Sequence, residues 1–595
     1  MGKGKKKLKK ASKAAKITKS NKIKTCKKAA SCKRKTPCSK CRKVSNCKFV
    51  VKADIEKPKS VNIMSENKNS ASVAPTWRLG IDVGGTNTDA VIIDGNLKLV
   101  ASTKSPTTED VMGGIKAAMH EVVSQIGPEA AKNIGFAMLG TTHCTNAIVE
   151  RKRLNKVAAV RIGAPATTAI SCMADWPDEL KDAMRVRDFL IHGGHEFDGH
   201  EISELSEVEI REVAAAVRAD GFESIAVTSV FSPVSDVHEK RAAALLHEEL
   251  GEDFPVSLSS EIGTLGFLER ENASILNAAL YDVAHTTADS FEAALAAEGL
   301  EHVAVYLGQN DGTLMSVDYA KRYPIFTIAC GPTNSIRGAS FLTKKKDAVV
   351  VDIGGTTTDV GVLSHGFPRE SMIAVEIGDV RTNFRMPDLV SVGLGGGSLV
   401  RKHDDGHVTV GPDSVGYQVT SKAFCFGGDT LTATDIVVAK GLVEGVGNAD
   451  LVAGLDADLV EAAYAEIARI IEDAVDAMKT SAGDVTVILV GGGSILAPDH
   501  LEGADQVLRP ANFGVANAIG SAIAQVSGQI AKVFSLSETP RDQAIAESKQ
   551  RACSEAIEAG ADPDTVEVIE VEDIPMAYLG DALCIRVKAV GDLML

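Results

Sequence analysis

The sequence predicts an α/β protein with two or three domains, and three observations support this fold class. Its 595 residues exceed what a single hydrophobic core normally holds. An eight-residue pattern of aspartate, glycine and threonine occurs twice in one register, at Asp82–Asp89 and at Asp352–Asp359. Aromatic residues make up only 4% of the chain while Ala, Gly and Val are abundant, which suits strands alternating with helices better than a β-sandwich.

Each copy of the pattern lies between two apolar runs that are rich in β-branched residues. Trp77–Ile81 and Ala90–Ile93 flank the first copy, and Ala348–Val351 and Val360–Leu363 flank the second. A strand, a tight glycine turn and a second strand make a β-hairpin. Adjacent glycines also let the backbone approach a ligand closely, because they have no Cβ. One such turn could be purely structural, but two copies favour a functional interpretation.

The two turns predict a phosphate site. Turn amides and threonine hydroxyls can form a concavity that binds anions, and the aspartate ending each first strand can hold a phosphate-bound Mg²⁺. We therefore expect Asp82 and Asp352 to be the catalytic and metal-binding groups. Asp89 and Asp359 could join this site or hold the hairpins together. The expected phosphate contacts are Gly84, Gly85, Thr86, Asn87, Thr88, Gly354, Gly355, Thr356, Thr357 and Thr358.

A pair of such hairpins in one chain resembles the actin, hexokinase and heat-shock-chaperone ATPase superfamily. There, two ribonuclease-H-like domains clamp ATP between their phosphate hairpins, so the resemblance implies two such domains around an interdomain nucleotide cleft. It also implies a glycine turn against the adenosine, and a small-residue helix that closes the site. The segment Asn512–Ala524 suits that helix. The expected adenosine contacts are Gly491, Gly492, Gly493 and Ser494.

Further motifs are similar to the hydantoinase/oxoprolinase family, in particular to its alpha (hydantoinase A-type) subunit. Together they cover about residues 78–527, in the family's order. They are Thr145–Arg151, Ser259–Ala278, Gln309–Met315, Cys330–Asn334, Val392–Ser398, Val410–Gly416 and Thr432–Asp435. The segment Cys330–Asn334 departs from the family, which usually has Ser-Gly-Pro-Ala-Gly there.

This resemblance implies an ATP- and Mg²⁺-dependent hydrolase of cyclic amides such as hydantoins, 5-oxoproline or lactams. Phosphorylation of the amide oxygen would activate the ring carbon toward water. A separate beta-type hydrolase subunit is a possible partner, because the beta half of full-length oxoprolinases is absent, and we expect a homo- or hetero-oligomer. The expected substrate contacts are Thr141, Thr142, Asn146, Arg270 and Asp435.

Other functions stay open at this point. Related acetone and acetophenone carboxylases use ATP to carboxylate ketones, and a protein of this fold could also bind nucleotide in a purely regulatory role. A sugar kinase would suit the first hairpin, but the segments at Cys330 and at Thr432–Asp435 favour the hydantoinase interpretation.

We expect four parts along the chain. They are a basic, Cys- and Lys-rich leader at 1–76, a hydantoinase/oxoprolinase N-terminal domain at 77–345, an ATPase domain at 346–530 and a small C-terminal α/β appendage at 531–595. In that appendage we predict a helix at 542–560 and strands at 566–572 and 582–590.

The charge is unevenly distributed. Residues 1–60 carry 23 Lys and Arg against 2 Asp and Glu, whereas the rest of the chain carries 41 against 77. The leader is too rich in charge to bury a core, so we expect it to be disordered. Its Cys38-x-x-Cys41 has no second pair, which favours a solvated tail over a zinc site. The acidic body argues against nucleic acid as its substrate, so we expect nucleic acid to bind only through the leader, if at all.

The sequence contains no apolar run near the roughly 20 residues of a membrane helix and no signal-peptide core. The six cysteines beyond the leader are scattered singly, as in a reducing compartment. We therefore expect a cytoplasmic protein that does not associate with membranes.

Two histidine-containing segments suggest chemistry less directly. His192–Glu201 contains three histidines but is interrupted by glycines, so we favour a surface loop over a metal cluster. His143 and Cys144 could pair as base and nucleophile, but sequence neighbours do not face each other and we find no third orienting group. Residues 207–250 that follow are predicted as helix, strand and helix in an α/β layer.

Overall fold

The computed structural model describes residues 76–106, 111–371, 375–576 and 581–594. Apart from Thr76, the predicted leader lies outside these residues. The described residues all belong to one compact unit. Among them, we find no helix with the length and apolar character that crossing a bilayer requires.

The described residues form 23 strands and 15 α-helices. In chain order, the strands are β1 (Trp77–Val83), β2 (Asn87–Ile93), β3 (Leu99–Pro106), β4 (Ile134–Gly140), β5 (Val157–Ala164), β6 (Arg187–His192), β7 (Ser224–Ser229), β8 (Val256–Leu258), β9 (Ala304–Gly308), β10 (Leu314–Ser316), β11 (Ala348–Ile353), β12 (Thr358–Ser364), β13 (Phe367–Pro368), β14 (Val375–Ile377), β15 (Val380–Thr382), β16 (Leu389–Val392), β17 (Ser398–Lys402), β18 (Val408–Ser414), β19 (Val485–Val490), β20 (Ala504–Leu508), β21 (Val526–Ser535), β22 (Glu567–Pro575) and β23 (Ala582–Gly591). The α-helices are α1 (Val111–Ile126), α2 (Pro128–Ala131), α3 (His143–Val149), α4 (Asp178–Met184), α5 (Glu207–Asp220), α6 (Val237–Leu250), α7 (Phe267–Ala279), α8 (Tyr281–Ala297), α9 (Val317–Arg322), α10 (Cys330–Thr343), α11 (Val419–Lys422), α12 (Ala433–Ala439), α13 (Ala457–Met478), α14 (Ala516–Ile523) and α15 (Arg541–Glu558).

The first sheet has the strand order β22-β23-β21-β10-β9-β4-β1-β2-β3. β1 and β2 form the first predicted hairpin, and β4 and β9 continue the sheet in parallel. The inner order β3-β2-β1-β4-β9 is the arrangement expected of a ribonuclease-H-like domain. Successive side chains of β2 point to opposite faces, so Ala90 and Ile92 pack against α1 and α8 while Val91 and Ile93 pack against α14.

The second sheet repeats this order as β13-β12-β11-β19-β20, with β16 also paired to β12. β11 and β12 form the second predicted hairpin, and β19 runs parallel to β11. α13 covers one face through Ile467 and Ile471, and α10 covers the other through Ile336 and Ala339. The expected pair of ribonuclease-H-like halves is therefore confirmed.

The two halves meet through α10 and α14, whose backbones touch. A Cβ on Gly338 would lie 1.9 Å from the carbonyl oxygen of Ala516, and one on Gly520 would lie 1.8 Å from that of Asn334. Only glycine permits this approach. α14 lies within the segment predicted as the small-residue helix, and its small residues explain why the halves can pack so closely.

A third sheet lies within the first half, and its order β6-β5-β7-β8 is parallel throughout. The predicted run of helix, strand and helix forms α5, β7 and α6. Val213 of α5 and Leu245 of α6 pack against this sheet. The α/β layer expected from the sequence is therefore present.

The C-terminal segment has the predicted helix, α15, and both predicted strands. These strands do not form a separate layer, because β21 pairs with both β10 and β23 and so extends the first sheet. Met138 of β4 and Val587 of β23 share one hydrophobic core. The segment thus covers an edge of β10 that would otherwise expose unpaired backbone groups.

Candidate functional site

The two hairpins have matching geometry. In the first, Asp82 pairs with Asp89 and the amide of Gly84 donates to the carbonyl of Asn87 over 2.9 Å. The second reproduces this register: Asp352 pairs with Asp359, and the amide of Gly354 donates to Thr357 over the same distance. The repeated sequence pattern therefore folds into a repeated structure.

The tips of the two turns face each other. A Cβ on Gly355 would lie 2.6 Å from Oγ1 of Thr86, whereas a Cβ on Gly85 would meet nothing within 4 Å. The backbone amides of Gly85 and Thr86 donate no hydrogen bond to any other described residue. The first turn thus has two amide donors without an acceptor among the described residues, as an anion-binding turn requires.

Asp82 lies at the end of β1 and is only 3% exposed. Asn334 of α10 donates from Nδ2 to its Oδ1 over 2.9 Å, and Asn517 of α14 donates to its Oδ2 over 3.0 Å. Burial raises the pKa of Asp82 to about 6, although the two amide donors oppose that shift. No basic side chain among the described residues forms an ion pair with this carboxylate.

Asp352 occupies the matching position in the second hairpin. Ser335, the neighbour of Asn334 on α10, donates from Oγ to its Oδ2 over 2.5 Å. Burial raises the pKa of Asp352 to about 7, and the negative charges of Asp359 and Asp82 add to the increase. Because the charge of Asp82 acts on Asp352, the two carboxylates are close enough to interact electrostatically.

The second aspartate of each pattern stabilises its own hairpin. Asp89 forms an ion pair with Lys104 of β3, at 2.6 Å, and accepts a hydrogen bond from Asn517, at 2.8 Å. Asp359 accepts a hydrogen bond from the hydroxyl of Ser391 on the neighbouring strand β16. Of the two interpretations left open by the sequence, these contacts favour the one in which the pair holds the hairpins together.

Two glycine segments support the second hairpin. A Cβ on Gly491 would lie 2.1 Å from Oδ1 of Asp352, and one on Gly493 would lie 2.4 Å from the carbonyl oxygen of Gly354. From the other side, the amide of Gly397 donates to the carbonyl of Gly355 over 2.8 Å. These positions require glycine because the backbone lies directly against the hairpin.

Gly492 and Ser494 complete the segment predicted to face adenosine. A Cβ on Gly492 would lie 3.8 Å from Cε of Lys104, so this segment reaches the first half of the protein. Ser494 is fully buried, and its Oγ has no hydrogen-bond partner among the described residues. The glycine turn therefore lies against the second hairpin and next to Lys104 of β3.

Three of the predicted substrate contacts lie beside the first hairpin. Gly140, at the end of β4, pairs with Asp82, and Thr141 and Thr142 follow it directly. Thr142 donates from Oγ1 to the carbonyl of Val83 over 3.5 Å, and Asn146 donates to Thr142 over 3.4 Å. The structure thus brings this threonine segment together with the aspartate.

Arg270 and Asp435 do not join this group. The Arg270 guanidinium is buried and donates to Ser259 and to the backbone of Ser229 and Thr264, over 2.8–3.0 Å. Asp435 is fully buried and closes the capping box of α12 with Thr432. Both side chains are committed to internal hydrogen bonds, so their geometry points to structural roles.

Burial disfavours the thiolate form of both cysteines next to the site. Burial raises the pKa of Cys144 to about 11 and that of Cys330 to about 12. The imidazole of His143 contacts the hydroxyl of Thr141. Cys330 packs instead on the backbone of Thr141, with its Sγ 3.4 Å from the amide nitrogen. The alternative of a His143–Cys144 catalytic pair finds no support in these contacts.

The sequence did not identify Asn334, Ser335, Asn517 and Lys104 as site residues. Two signals were nevertheless present. Asn334 is the last residue of the segment that departs from the family pattern, and Asn517 lies in the helix predicted to close the site. The sequence around Lys104 does not indicate a site residue, because only the pairing of β3 with β2 places it opposite Asp89.

A cavity of about 350 Å³ adjoins the threonine segment through His143. Its polar lining includes Arg153, Asn155, Arg185 and Thr286. His143 is the residue that this cavity shares with the threonine segment, because its imidazole also contacts the hydroxyl of Thr141.

Comparisons with known proteins identify the family to which this chain is similar. The model of the hydantoinase/oxoprolinase N-terminal region matches residues 78–250, and the hydantoinase/oxoprolinase model matches residues 270–476. The acetophenone carboxylase gamma subunit of Aromatoleum aromaticum is 27% identical over 394 residues, which are 61% of this chain and 53% of that protein. The caprolactamase subunit alpha of Pseudomonas jessenii is 25% identical over 401 residues, which are 61% and 54% of the two chains.

The chain thus spans about half the length of these two relatives. In three dimensions it is similar to the ATP-dependent caprolactamase from Pseudomonas jessenii, with a TM-score of 0.65 and 18% identity over 87% of this chain and 88% of that one. At this identity the likeness shows a shared fold.

Proposed function

Because the chain belongs to the hydantoinase/oxoprolinase family, we propose that it uses ATP to activate a cyclic amide of the hydantoin, 5-oxoproline or lactam type for hydrolysis. One observation carries this proposal: neighbouring residues of α10, Asn334 and Ser335, contact the two hairpin aspartates, Asp82 and Asp352. A single helix thereby contacts both turns that would bind the phosphates.

The two turns would hold the phosphates of ATP. The free amides of Gly85 and Thr86 supply hydrogen-bond donors, and Lys104 supplies a positive charge beside Gly492. The glycine turn at 491–494 would then lie against the adenosine. Phosphoryl transfer depends mostly on such positioning and charge stabilisation, so the site needs no protein nucleophile.

The two aspartates fit a magnesium ion. Both are buried carboxylates with raised pKa values, and a nearby cation would favour their ionised forms. Asp82 and Asp352 would hold Mg²⁺ directly or through water, since this ion prefers oxygen ligands and keeps several waters. Bound there, Mg²⁺ would neutralise the negative charge of the phosphates.

The chemistry follows from the poor reactivity of an amide. Its oxygen would bond to the γ-phosphorus as the bond to the β–γ bridging oxygen breaks, releasing ADP. Water would then add to the ring carbon, and the carbon–nitrogen bond would break as the nitrogen takes up a proton. Hydrolysis of the phosphoryl group would release phosphate. Thr141, Thr142 and Asn146 would orient the ring, and the cavity beside His143 would receive it.

A partner protein would complete the reaction. The relatives are named as subunits of larger enzymes, subunit alpha of a caprolactamase and the gamma subunit of an acetophenone carboxylase. We therefore propose that a beta-type subunit supplies the hydrolytic half in a hetero-oligomer. The six described cysteines are free thiols, which fits a cytoplasmic location.

Ketone carboxylation is a second candidate, favoured by the 27% identity to the acetophenone carboxylase gamma subunit. In that case the same nucleotide site would turn over ATP in the presence of a ketone and bicarbonate. The nucleotide geometry supports both reactions equally, so the substrate must distinguish them.

The decisive experiment measures ADP formation from ATP and Mg²⁺ by the full-length chain. The substrate panel contains 5-oxoproline, hydantoins and small lactams, with a parallel arm of ketones plus bicarbonate. Asp352→Asn tests the site, and Asp484→Asn in an exposed loop is the matched control.

Stimulation by one cyclic amide that is lost in Asp352→Asn but kept in the control would support the hydrolase. Stimulation only by a ketone with bicarbonate would replace it with the carboxylase. If nucleotide binds and no panel member stimulates ADP formation, with or without added beta-type subunit, the chain acts as a nucleotide-binding regulator.

A further inference from the structure

A second cluster of ligand-type side chains lies in the four-stranded parallel sheet. It contains His195 and Glu201, which face each other in a β-bridge of the loop after β6, and His238 in the first turn of α6. One ligand atom from each residue lies within 4.8 Å of the other two. Loops at the carboxyl ends of parallel strands are where open α/β sheets usually bind ligands.

His195 has an unsatisfied nitrogen. The side chain is buried, with 4% of the residue exposed, and its Nε2 lies 3.2 Å from the hydroxyl of Ser235. Its Nδ1 has no hydrogen-bond partner among the described residues although it is shielded from solvent. A buried polar atom without a partner is destabilising, and a bound metal ion would satisfy this nitrogen.

His238 orients the carboxylate of Glu201. The amide of Gly194 donates to Nδ1 of His238 over 3.0 Å, so the ring carries its proton on Nε2. That nitrogen lies 3.3 Å from Oε1 of Glu201. The Glu201 side chain is 56% exposed, which leaves its second oxygen open to an ion arriving from solvent.

We propose that Nδ1 of His195 and the carboxylate of Glu201 bind a divalent transition-metal ion such as Zn²⁺ or Mn²⁺. Water fills the remaining positions, and His238 is the hydrogen-bond donor that orients Glu201. Imidazole and carboxylate together suit these ions, and ligating carboxylates are commonly held by a second hydrogen bond. The ion fastens the loop at residues 193–201, which reaches α6 through His238.

The test uses the full-length chain after treatment with EDTA. Zinc bound per chain is measured by equilibrium dialysis, and the melting temperature is recorded with and without Zn²⁺. The variants are His195→Gln and Glu201→Gln. The matched control is His200→Gln, because its exposed ring lies in the same loop. A cooperative melting transition without metal verifies that each variant folds. If His195→Gln does not fold, Glu201→Gln alone tests the proposal.

Wild type and the control should bind one more zinc ion per chain than either variant, and only those two should melt at a higher temperature with Zn²⁺. His238→Ala should weaken binding about 10- to 100-fold. A cobalt spectrum separates this site from the leader cysteines, because ligation without sulfur gives no thiolate charge-transfer band. Equal zinc binding by wild type, His195→Gln, Glu201→Gln and the His200→Gln control would overturn the proposal. ATP turnover is not part of this readout.

Discussion

Asn334 donates a hydrogen bond to Asp82 across 252 positions of the sequence, with 2.9 Å between Nδ2 and Oδ1. Its neighbour Ser335 does the same for Asp352, so one turn of α10 contacts both hairpins. Movement of this helix would change the surroundings of both carboxylates together. The side-chain amide of Asn334 supplies a contact to Asp82 that a glycine at this position could not make.

Replacing Asn334 with alanine should shift the pH dependence of ATP turnover. The amide donor lowers the pKa of Asp82, so its loss raises that pKa. A hydrogen bond to a charged group contributes about 1.5 kcal/mol or more, which corresponds to about one pKa unit. Asp82 must be ionised to hold Mg²⁺, so the acidic limb of the plot of kcat/KM against pH should shift to higher pH by about one unit. Asn96→Ala, in an exposed turn, serves as control, and coincident profiles for all three proteins would refute the link.

Asp352→Asn should stabilise the nucleotide-free protein at alkaline pH. The unfolded carboxyl ionises near pH 3.8, whereas the folded one keeps its proton up to about pH 7. The unfolding free energy therefore falls as the pH rises between these values, by an amount on the order of 4 kcal/mol, and stays lower above them. Asparagine does not ionise, so the variant should melt at a higher temperature than wild type at pH 8 and at a similar one near pH 4. A variant that melts lower at pH 8 would show that the carboxylate is not destabilising.

Gly85→Ala should impair ATP binding without affecting stability. The new Cβ meets nothing within 4 Å in the protein, but it would enter the space assigned to the phosphates. We expect the KM for ATP to rise about tenfold, equivalent to 1.4 kcal/mol of binding, with no change in melting temperature. Gly454→Ala is the matched control, since a Cβ there also meets nothing. If both variants retain the wild-type KM, the first turn does not hold phosphate.

Lys104→Met should weaken ATP binding by removing the cation between the first hairpin and the glycine turn. Asp89 would keep its hydrogen bond from Asn517, so the hairpin should remain folded. The expected result is a KM for ATP raised about tenfold, again about 1.4 kcal/mol, and a weaker dependence on ionic strength. The exposed Lys98→Met provides the comparison. An unchanged KM for ATP would show that Lys104 pairs with Asp89 but does not contribute to ATP binding.

Gly520→Ala should reduce both stability and turnover. The added Cβ would lie 1.8 Å from the carbonyl oxygen of Asn334, so α10 and α14 must separate and the Asn334 side chain must move. Gly528→Ala is the matched control. Gly528 lies on β21, and a Cβ there would lie 2.1 Å from the carbonyl oxygen of Ala552 on α15, which is a similar clash away from the site. Both variants should melt at lower temperature. When kcat is measured at a temperature well below both melting temperatures, only Gly520→Ala should lower it. Equal losses of kcat in both variants would argue against a role of the α10–α14 contact in the site.

The sequence by itself determined the two hairpins. Each is a continuous stretch whose register is set by one glycine turn, so Asp82 opposite Asp89 and Asp352 opposite Asp359 follow from local geometry. The same holds for α14, whose small residues signal close packing. These features need no knowledge of distant contacts.

The tertiary structure alone decided how the hairpins are used. It brings Asn334 to Asp82 from 252 positions away and Asn517 from 435 positions away, and it assigns Arg270 and Asp435 to internal hydrogen bonds. It also joins the C-terminal strands to the first sheet and sets His238 beside His195 and Glu201. Such contacts depend on how helices and sheets pack against each other, and residues far apart in the sequence carry no local signal of that packing.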